Sequence, residues 1–271
     1  MKLRPEEISS VLSQELNSYD RDLKVDSVGT ILQVGDGIAR IYGLQDAMMG
    51  EMVEFPGEIF GIILNLEEDS VGVAIMGSDV KIKEGDQVKR TGTIASVPVG
   101  DGVVGRVLNA VGQPVDGKGP VPSTETRNIE LKAPGVTARQ PVSQPLMTGL
   151  KAVDSMIPIG RGQRELIIGD RGTGKTAVTI DTIINQKGKG VHCFYVAVGQ
   201  KQSTVARVHK KLEEHGAMEY TTIIAANASE PAPLLYLAPY SGVTMAEHMM
   251  WPGKDPQVLY NEPSQHATAY R

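Results

Sequence analysis

Aromatic side chains are scarce in this sequence: Phe, Trp and Tyr make up 4% of its residues, with a single Trp. The interior therefore has to be built from Val, Ile, Leu, Ala and Met, and a binding face of stacked rings for single-stranded nucleic acid is disfavoured. Cysteine is scarcer still. Cys193 is the one cysteine, so no intramolecular disulfide can form, and its place in the apolar run Val191–Val198 marks it as a small buried hydrophobe suited to a reducing compartment. No stretch approaches the roughly 18 apolar residues of a membrane-crossing helix. The N-terminus, Met1-Lys2-Leu3-Arg4-Pro5-Glu6-Glu7, lacks the apolar centre of a signal peptide. Basic charge is not in excess either. A net charge of −5 and a pI near 5.6 argue against a nucleic-acid or anionic-lipid binder, although a local basic patch can sit within an acidic total.

What is present is enough chain for two modest domains or one large one: 271 residues, 41% hydrophobic and 22% charged, as in soluble globular proteins. Residues 5–19 have the pattern of an amphipathic helix. Pro5 suits its first position, Glu6 and Glu7 favour the positive end of its dipole, and Ile8, Leu12, Leu16 and Tyr19 share a face. Packing on its own domain and docking to a partner are both open on pattern alone.

Residues 25–94 are expected to be all-β. Apolar runs such as Val28–Val34, Ile38–Tyr42, Gly61–Leu66 and Val71–Ile75 alternate with Gly- and Asp-rich turns, Gly35-Asp36-Gly37 among them. About five or six short strands in such a segment suggest a small closed barrel, which leaves no exposed edges. Residues 95–150 are expected to hold loops and short strands, with a turn cluster at Gln113–Gly117 and an irregular Pro-rich stretch from Pro120 to Pro145.

From Gln163 the period changes. The pattern predicts a short buried strand at Glu165–Ile168, a helix at Thr176–Asn185, a strand at His192–Val198, and a helix capped by Ser203 that stops at Gly216. A strand at Thr222–Ala226 follows, then helix-prone residues 232–250 interrupted at Pro239 and Gly242, and a strand at Gln257–Tyr260. Alternating strand and helix indicate an α/β domain on a mostly parallel sheet. Residues 95–271 are assigned to this domain, and 1–24 to the N-terminal helical segment.

The motif that carries chemistry is Gly169-Asp170-Arg171-Gly172-Thr173-Gly174-Lys175-Thr176. Its glycines let backbone N–H groups curl toward phosphate oxygens, and the following helix adds its positive end. Lys175 supplies a charge to the β- and γ-phosphates of a nucleotide, and the Thr176 hydroxyl is placed to ligate Mg²⁺. Hydrolysis would further need a carboxylate on a neighbouring strand tip and a group that orients water. The strand tips offer Gln200, an amide that cannot act as a base, and Asn261 with Glu262 beside it as candidates to organise Mg²⁺ through water. The residues describe a nucleotide site poorly equipped for turnover.

These motifs carry a resemblance. Gln33–Tyr42 (QVGDGIARIY), Gly105–Asp116 (GRVLNAVGQPVD), Gly149–Arg164 (GLKAVDSMIPIGRGQR), Gly169–Thr176, Tyr195–Ala206 (YVAVGQKQSTVA), Ala232–Gly242 (APLLYLAPYSG) and His266–Arg271 (HATAYR) resemble the N-terminal portion of the α-subunit family of rotary, proton-transporting F-type ATP synthases. The resemblance implies an N-terminal segment, a crown β-barrel and an incomplete P-loop (RecA-like) domain, with the C-terminal helical domain beyond the chain. It implies Mg-ATP held without turnover, Gln200 standing where catalytic relatives carry an essential Glu. It implies α subunits alternating with catalytic β subunits around a γ shaft, and a peripheral-stalk δ-type subunit met through residues 5–19. The complex would lie on the cytoplasmic face of a bacterial inner membrane, or the plastid equivalent, with this chain reaching the membrane only through its partners and binding no nucleic acid. Gly172 stands where that family usually has Gln, Gln202 where it has Arg, and Tyr260-Asn261-Glu262-Pro263-Ser264-Gln265 where it has Tyr-Asp-Asp-Leu-Ser-Lys. Pro256 falls in the same strand, where it would remove a ladder bond. The alternatives from other classes are a self-sufficient P-loop ATPase and a hexameric RNA helicase of the terminator type. A third is a purely structural chain.

Overall fold

The computed structural model describes residues 28–57, 59–123 and 125–271. The helix expected over residues 5–19 lies outside the described residues. The chain divides between Ile94 and Ala95 into two compact units.

The first unit is a closed barrel. Its strands are β1 (Val28–Gly35), β2 (Ile38–Tyr42), β3 (Glu51–Phe55), β4 (Ile59–Leu66), β5 (Ser70–Ile75) and β6 (Gln87–Ile94), joined in the order β1-β2-β5-β4-β3-β6 with every neighbour antiparallel. Successive side chains on a strand point to opposite faces, and β2 shows the consequence: Ala39 and Ile41 are buried while Ile38, Arg40 and Tyr42 are exposed. The inward set includes Ile31, Val53, Phe55, Ile63, Val73, Ile75 and Val88. The β1–β2 turn places both Asp36 (φ 52°) and Gly37 (φ 76°) in the left-handed region. That twist matches a two-residue hairpin, and Asp-Gly tolerates it where most residues would not. Register shifts at Ile31/Gln33, Glu51/Val53 and Ile63/Asn65 supply the local bends that let a sheet curl closed.

One barrel wall carries a buried charge. Glu51 on β3 is fully buried; its carboxylate takes a bidentate pair from Arg90 on β6 (both 2.9 Å) and accepts the N–H groups of Met48 (2.9 Å) and Gly92 (3.1 Å). Burial alone would raise its pKa. The Arg90 hydrogen bonds and charge and the two backbone donors together outweigh that and hold it below the usual value.

The second unit opens with the strands β7 (Ser96–Val99), β8 (Val107–Leu108), β9 (Glu125–Asn128), β10 (Pro145–Leu146) and β11 (Ile159–Gly160), with helix α1 (Lys151–Met156) between the last two. Strands β7 and β9 form one two-stranded ribbon, and β10 and β11 another. After helix α2 (Lys175–Ile184) come β12 (Val191–Gln200), helix α3 (Gln202–Glu214), β13 (Thr221–Asn227), helix α4 (Ala232–Met250), β14 (Asp255–Asn261) and helix α5 (Pro263–Tyr270). The main sheet is parallel throughout, ordered β14-β12-β13-β8. Both faces are covered. Val191, Cys193, Tyr195 and Ala197 of β12 cluster with Ile180 and Ile183 of α2 and with Val205, Val208 and Leu212 of α3. On the opposite face α4 approaches so closely that a Cβ on Gly242 would stand 2.5 Å from Val196 Cγ2. A strand covered on both faces needs a nearly continuous apolar sequence, which VHCFYVAV supplies.

Three sequence-based expectations are corrected here. Glu165–Ile168 is neither strand nor buried: it pairs with no strand among the described residues, and Leu166, Ile167 and Ile168 are 73%, 43% and 85% exposed. The sheet's edge positions are held by β14 and β8, so this apolar run has no ladder to join. Ser203 is not the cap of α3. Strand β12 runs on to Gln200, the helix follows at once, and Lys201 occupies the cap position with no side-chain cap bond. Helix α4 is not interrupted; Pro239 and Gly242 both lie inside it, and burial of Leu234, Leu237, Ala238, Met245 and Ala246 outweighs the backbone bond that proline removes. Pro256 enters β14, as expected, and β14 is an edge strand of the sheet among the described residues, a setting in which a missing N–H costs little.

Candidate nucleotide site

Glycine backbone geometry makes the loop. Gly172 (φ 83°) and Gly174 (φ 94°) are both left-handed, and Gly174 is the residue from which α2 starts. A side chain at either position would be strained by its own backbone rather than by neighbours, since a Cβ there meets nothing within 4 Å. The first intrahelical bond runs from Val178 N–H to Gly174 O (3.1 Å), so the N–H groups that precede it have no place in the helix ladder and point out of its positive end. Thr173 Oγ1 donates to Asp170 O (2.8 Å), closing a tight turn inside the loop. Lys175, the first residue of α2, folds back so that its Nζ donates to Gly169 O (2.5 Å) and Asp170 O (2.8 Å). The ammonium therefore stands at the loop, held by neutral carbonyls that a charged phosphate oxygen can replace. Thr176 sits in the first helical turn, and its carbonyl accepts from Thr179 Oγ1 (2.8 Å).

The strand tips are arranged differently from expectation. Gln200 ends β12 and is paired in register with Asn227, the last residue of β13. Its carbonyl accepts Ala228 N–H (3.0 Å), while its side-chain Oε1 is buried without a partner. Asn261, at the tip of β14, lies opposite Ala197 instead, and its side-chain amide donates to the Tyr195 hydroxyl. Burial pushes that hydroxyl above its usual pKa, the Asn261 bond pulling the other way. Glu262 is exposed and left-handed (φ 59°), occupying the cap position of α5. Among the described residues no hydrogen bond or ion pair joins the loop 169–176 to Gln200, Asn261 or Glu262. Nor, among the described residues, do three His, Cys, Asp or Glu side chains gather as a metal site. The residues present fit a phosphate group, through Lys175 and the positive end of α2.

Sequence reasoning missed two groups. Asn227 Nδ2 donates to Glu230 Oε1 (2.8 Å), next to Gln200. The available signal was a polar pair three residues apart between a strand and a helix. It also treated Gln113–Gly117 as a turn only. Within it, Asp116 makes a bidentate pair with Arg106 (2.7 and 3.0 Å), both largely buried. Asp116 further accepts the N–H groups of Val107 (3.1 Å) and Lys118 (3.0 Å), and Arg106 also donates to Gly119 O (2.5 Å) and Pro120 O (3.2 Å). The Arg106 bonds, foremost, hold the Asp116 carboxyl far below the usual carboxylate range against the opposing effect of burial.

A barrel unit followed by a parallel sheet, with a glycine loop opening a helix, defines a nucleotide-binding chain. Residues 24–92 match the ATP synthase alpha/beta family, beta-barrel domain, and residues 149–271 match the ATP synthase alpha/beta family, nucleotide-binding domain. The chain belongs to the ATP synthase alpha/beta family. It is 59% identical over its whole length to a protein of Desulfovibrio desulfuricans named ATP synthase subunit alpha, and 58% identical to one of that name from Clostridium acetobutylicum. The chain spans 54% of the length of each of these relatives. Among the described residues no helix is long and apolar enough to cross a membrane.

Proposed function

We propose that this chain acts as a regulatory, non-catalytic, ATP-binding subunit of the α type in a proton-translocating F-type ATP synthase. The observation that carries the reading is Gln200: β12 ends in a carboxamide, which cannot act as a general base. The two relatives' name, ATP synthase subunit alpha, supports the same assignment. In this reading Gly169–Thr176 would hold the phosphates of ATP or ADP, Lys175 giving up its two carbonyl acceptors for phosphate oxygens, and Thr176 would hold Mg²⁺, which would offset phosphate charge. With an amide at Gln200, which cannot take a proton from water, the nucleotide stays intact and its occupancy is the signal.

The partners proposed are catalytic β subunits, a γ shaft and, through residues 5–19, a peripheral-stalk δ-type subunit. The place proposed is the cytoplasmic face of a bacterial inner membrane or its plastid equivalent, as a peripheral component. Equilibrium binding of a fluorescent ATP analogue to wild type and Lys175→Ala tests the site. A loss of at least about tenfold with an unchanged far-UV spectrum is expected, from removal of a charge-assisted contact; equal binding by both sinks the reading. Measurable steady-state ATP turnover by the wild-type chain would refute the non-catalytic role.

A further inference from the structure

We propose that the tips of β12 and β13 form an oxygen-lined site for a hard divalent cation, built from Gln200, Asn227 and Glu230 and separate from the glycine loop. Gln200 and Asn227 are register partners on adjacent parallel strands, and Asn227 is tied to Glu230 through its amide nitrogen (2.8 Å) and through Glu230 N–H to Asn227 O (3.0 Å). Each of the three residues has a buried acceptor oxygen with no hydrogen-bond partner: Gln200 Oε1, Asn227 Oδ1 and Glu230 Oε2. A single buried acceptor left unpaired costs about 1–3 kcal/mol. Three at neighbouring positions, all acceptors and one a carboxylate, call for one occupant that is positive or donating. Among the described residues no ion pair includes Glu230.

Two amide oxygens and one carboxylate oxygen are the donor set of a partly hydrated Mg²⁺- or Mn²⁺-sized ion, waters completing its shell. The same region is the carboxyl end of a parallel sheet, where α/β domains place their ligands.

The test is Mn²⁺ binding to the 271-residue chain without nucleotide, read by loss of the free-ion paramagnetic resonance signal. Saturable binding of one ion is expected, weakened by about tenfold or more in Glu230→Gln and also weakened in Gln200→Leu, which alters the other strand and guards against a folding artefact in the first variant. Absence of saturable binding overturns the proposal; it means that water or a rotated Gln200 amide closes the group. Equal affinity in wild type and Glu230→Gln overturns it too. Loss of the ion in Thr176→Val would assign it to the glycine loop, with the same consequence. Nucleotide binding is not part of the readout, so failure here leaves the proposed function standing.

Discussion

Asn261 donates its side-chain amide to the hydroxyl of Tyr195, tying the tip of the edge strand β14 to the strand beside it. The group that sequence reasoning offered to Mg²⁺ is thus already used in holding two strands together. Asn261→Ala should cost about 1 kcal/mol of stability, the net worth of one hydrogen bond, and leave Mg-ATP affinity unchanged. A thermal melt and a nucleotide titration check both halves. A several-fold loss of Mg-dependent affinity at unchanged stability would return Asn261 to the metal.

The Arg106–Asp116 pair makes stability acid-sensitive. The folded pKa of Asp116 lies below its unfolded value of about 3.9. The unfolded chain therefore binds the extra proton first as pH falls. The pair's contribution is complete above that value and disappears as pH drops through the folded pKa. At neutral pH Asp116→Asn should cost about 3 kcal/mol, because it leaves the Arg106 guanidinium buried without its counter-charge. Denaturant melts should show the gap between variant and wild type narrowing below about pH 4. A gap constant to pH 3 would contradict the assignment.

Gly174→Ala should damage the loop without any clash. The residue holds φ 94° in open space, a conformation that costs an L-residue about 1–2 kcal/mol. If the loop relaxes to avoid that strain, nucleotide affinity falls by about tenfold. Isothermal titration of ATP into the variant reads the effect directly, and unchanged affinity would show that this backbone conformation is not the binding one.

Cys193 should be chemically silent. Burial pushes its thiol up to about 12 and leaves it without solvent exposure. Alkylation by iodoacetamide at pH 8 should be negligible in the native chain and rapid in denaturant. Fast native labelling would mean that the β12 layer opens readily.

Much of the barrel was legible because it obeys one rule, with apolar residues in and polar residues out at period two. β2 was read to its ends. β3 and β6 were not singled out, because Glu51 and Arg90 break that rule: a carboxylate faces inward and is satisfied only by a partner far away in sequence. In the second unit the glycine loop and α2 were legible from local chemistry alone. The strand before them was not, since an apolar run becomes a strand only beside another strand, and neighbours are a property of the sheet. Helix α4 hid behind Pro239 and Gly242, whose propensities are local while the burial that overrides them is not. Asn227 and Glu230 were invisible for a related reason. Nothing in either residue is unusual until register sets Gln200 beside them.

The exposed run Leu166–Ile168 makes a contrasting prediction. Ile168→Ser should shift stability by less than about 0.5 kcal/mol, as expected for an exposed position. Ile183→Ala, at a fully buried position of α2, should cost about 2–5 kcal/mol. Chemical denaturation of the two variants tests it. A large loss at Ile168 would show that this segment is buried in solution.

A chain with one cysteine cannot fasten its loops covalently. Arg106 and Asp116 perform that office here: four bonds from one guanidinium and two further backbone donors on one carboxylate secure the loop from Gly105 to Pro120. Such a staple is indifferent to thiols and oxidants. Its release agent is the proton, so this loop keeps its shape under reducing conditions that would cut a disulfide, and yields instead to acid.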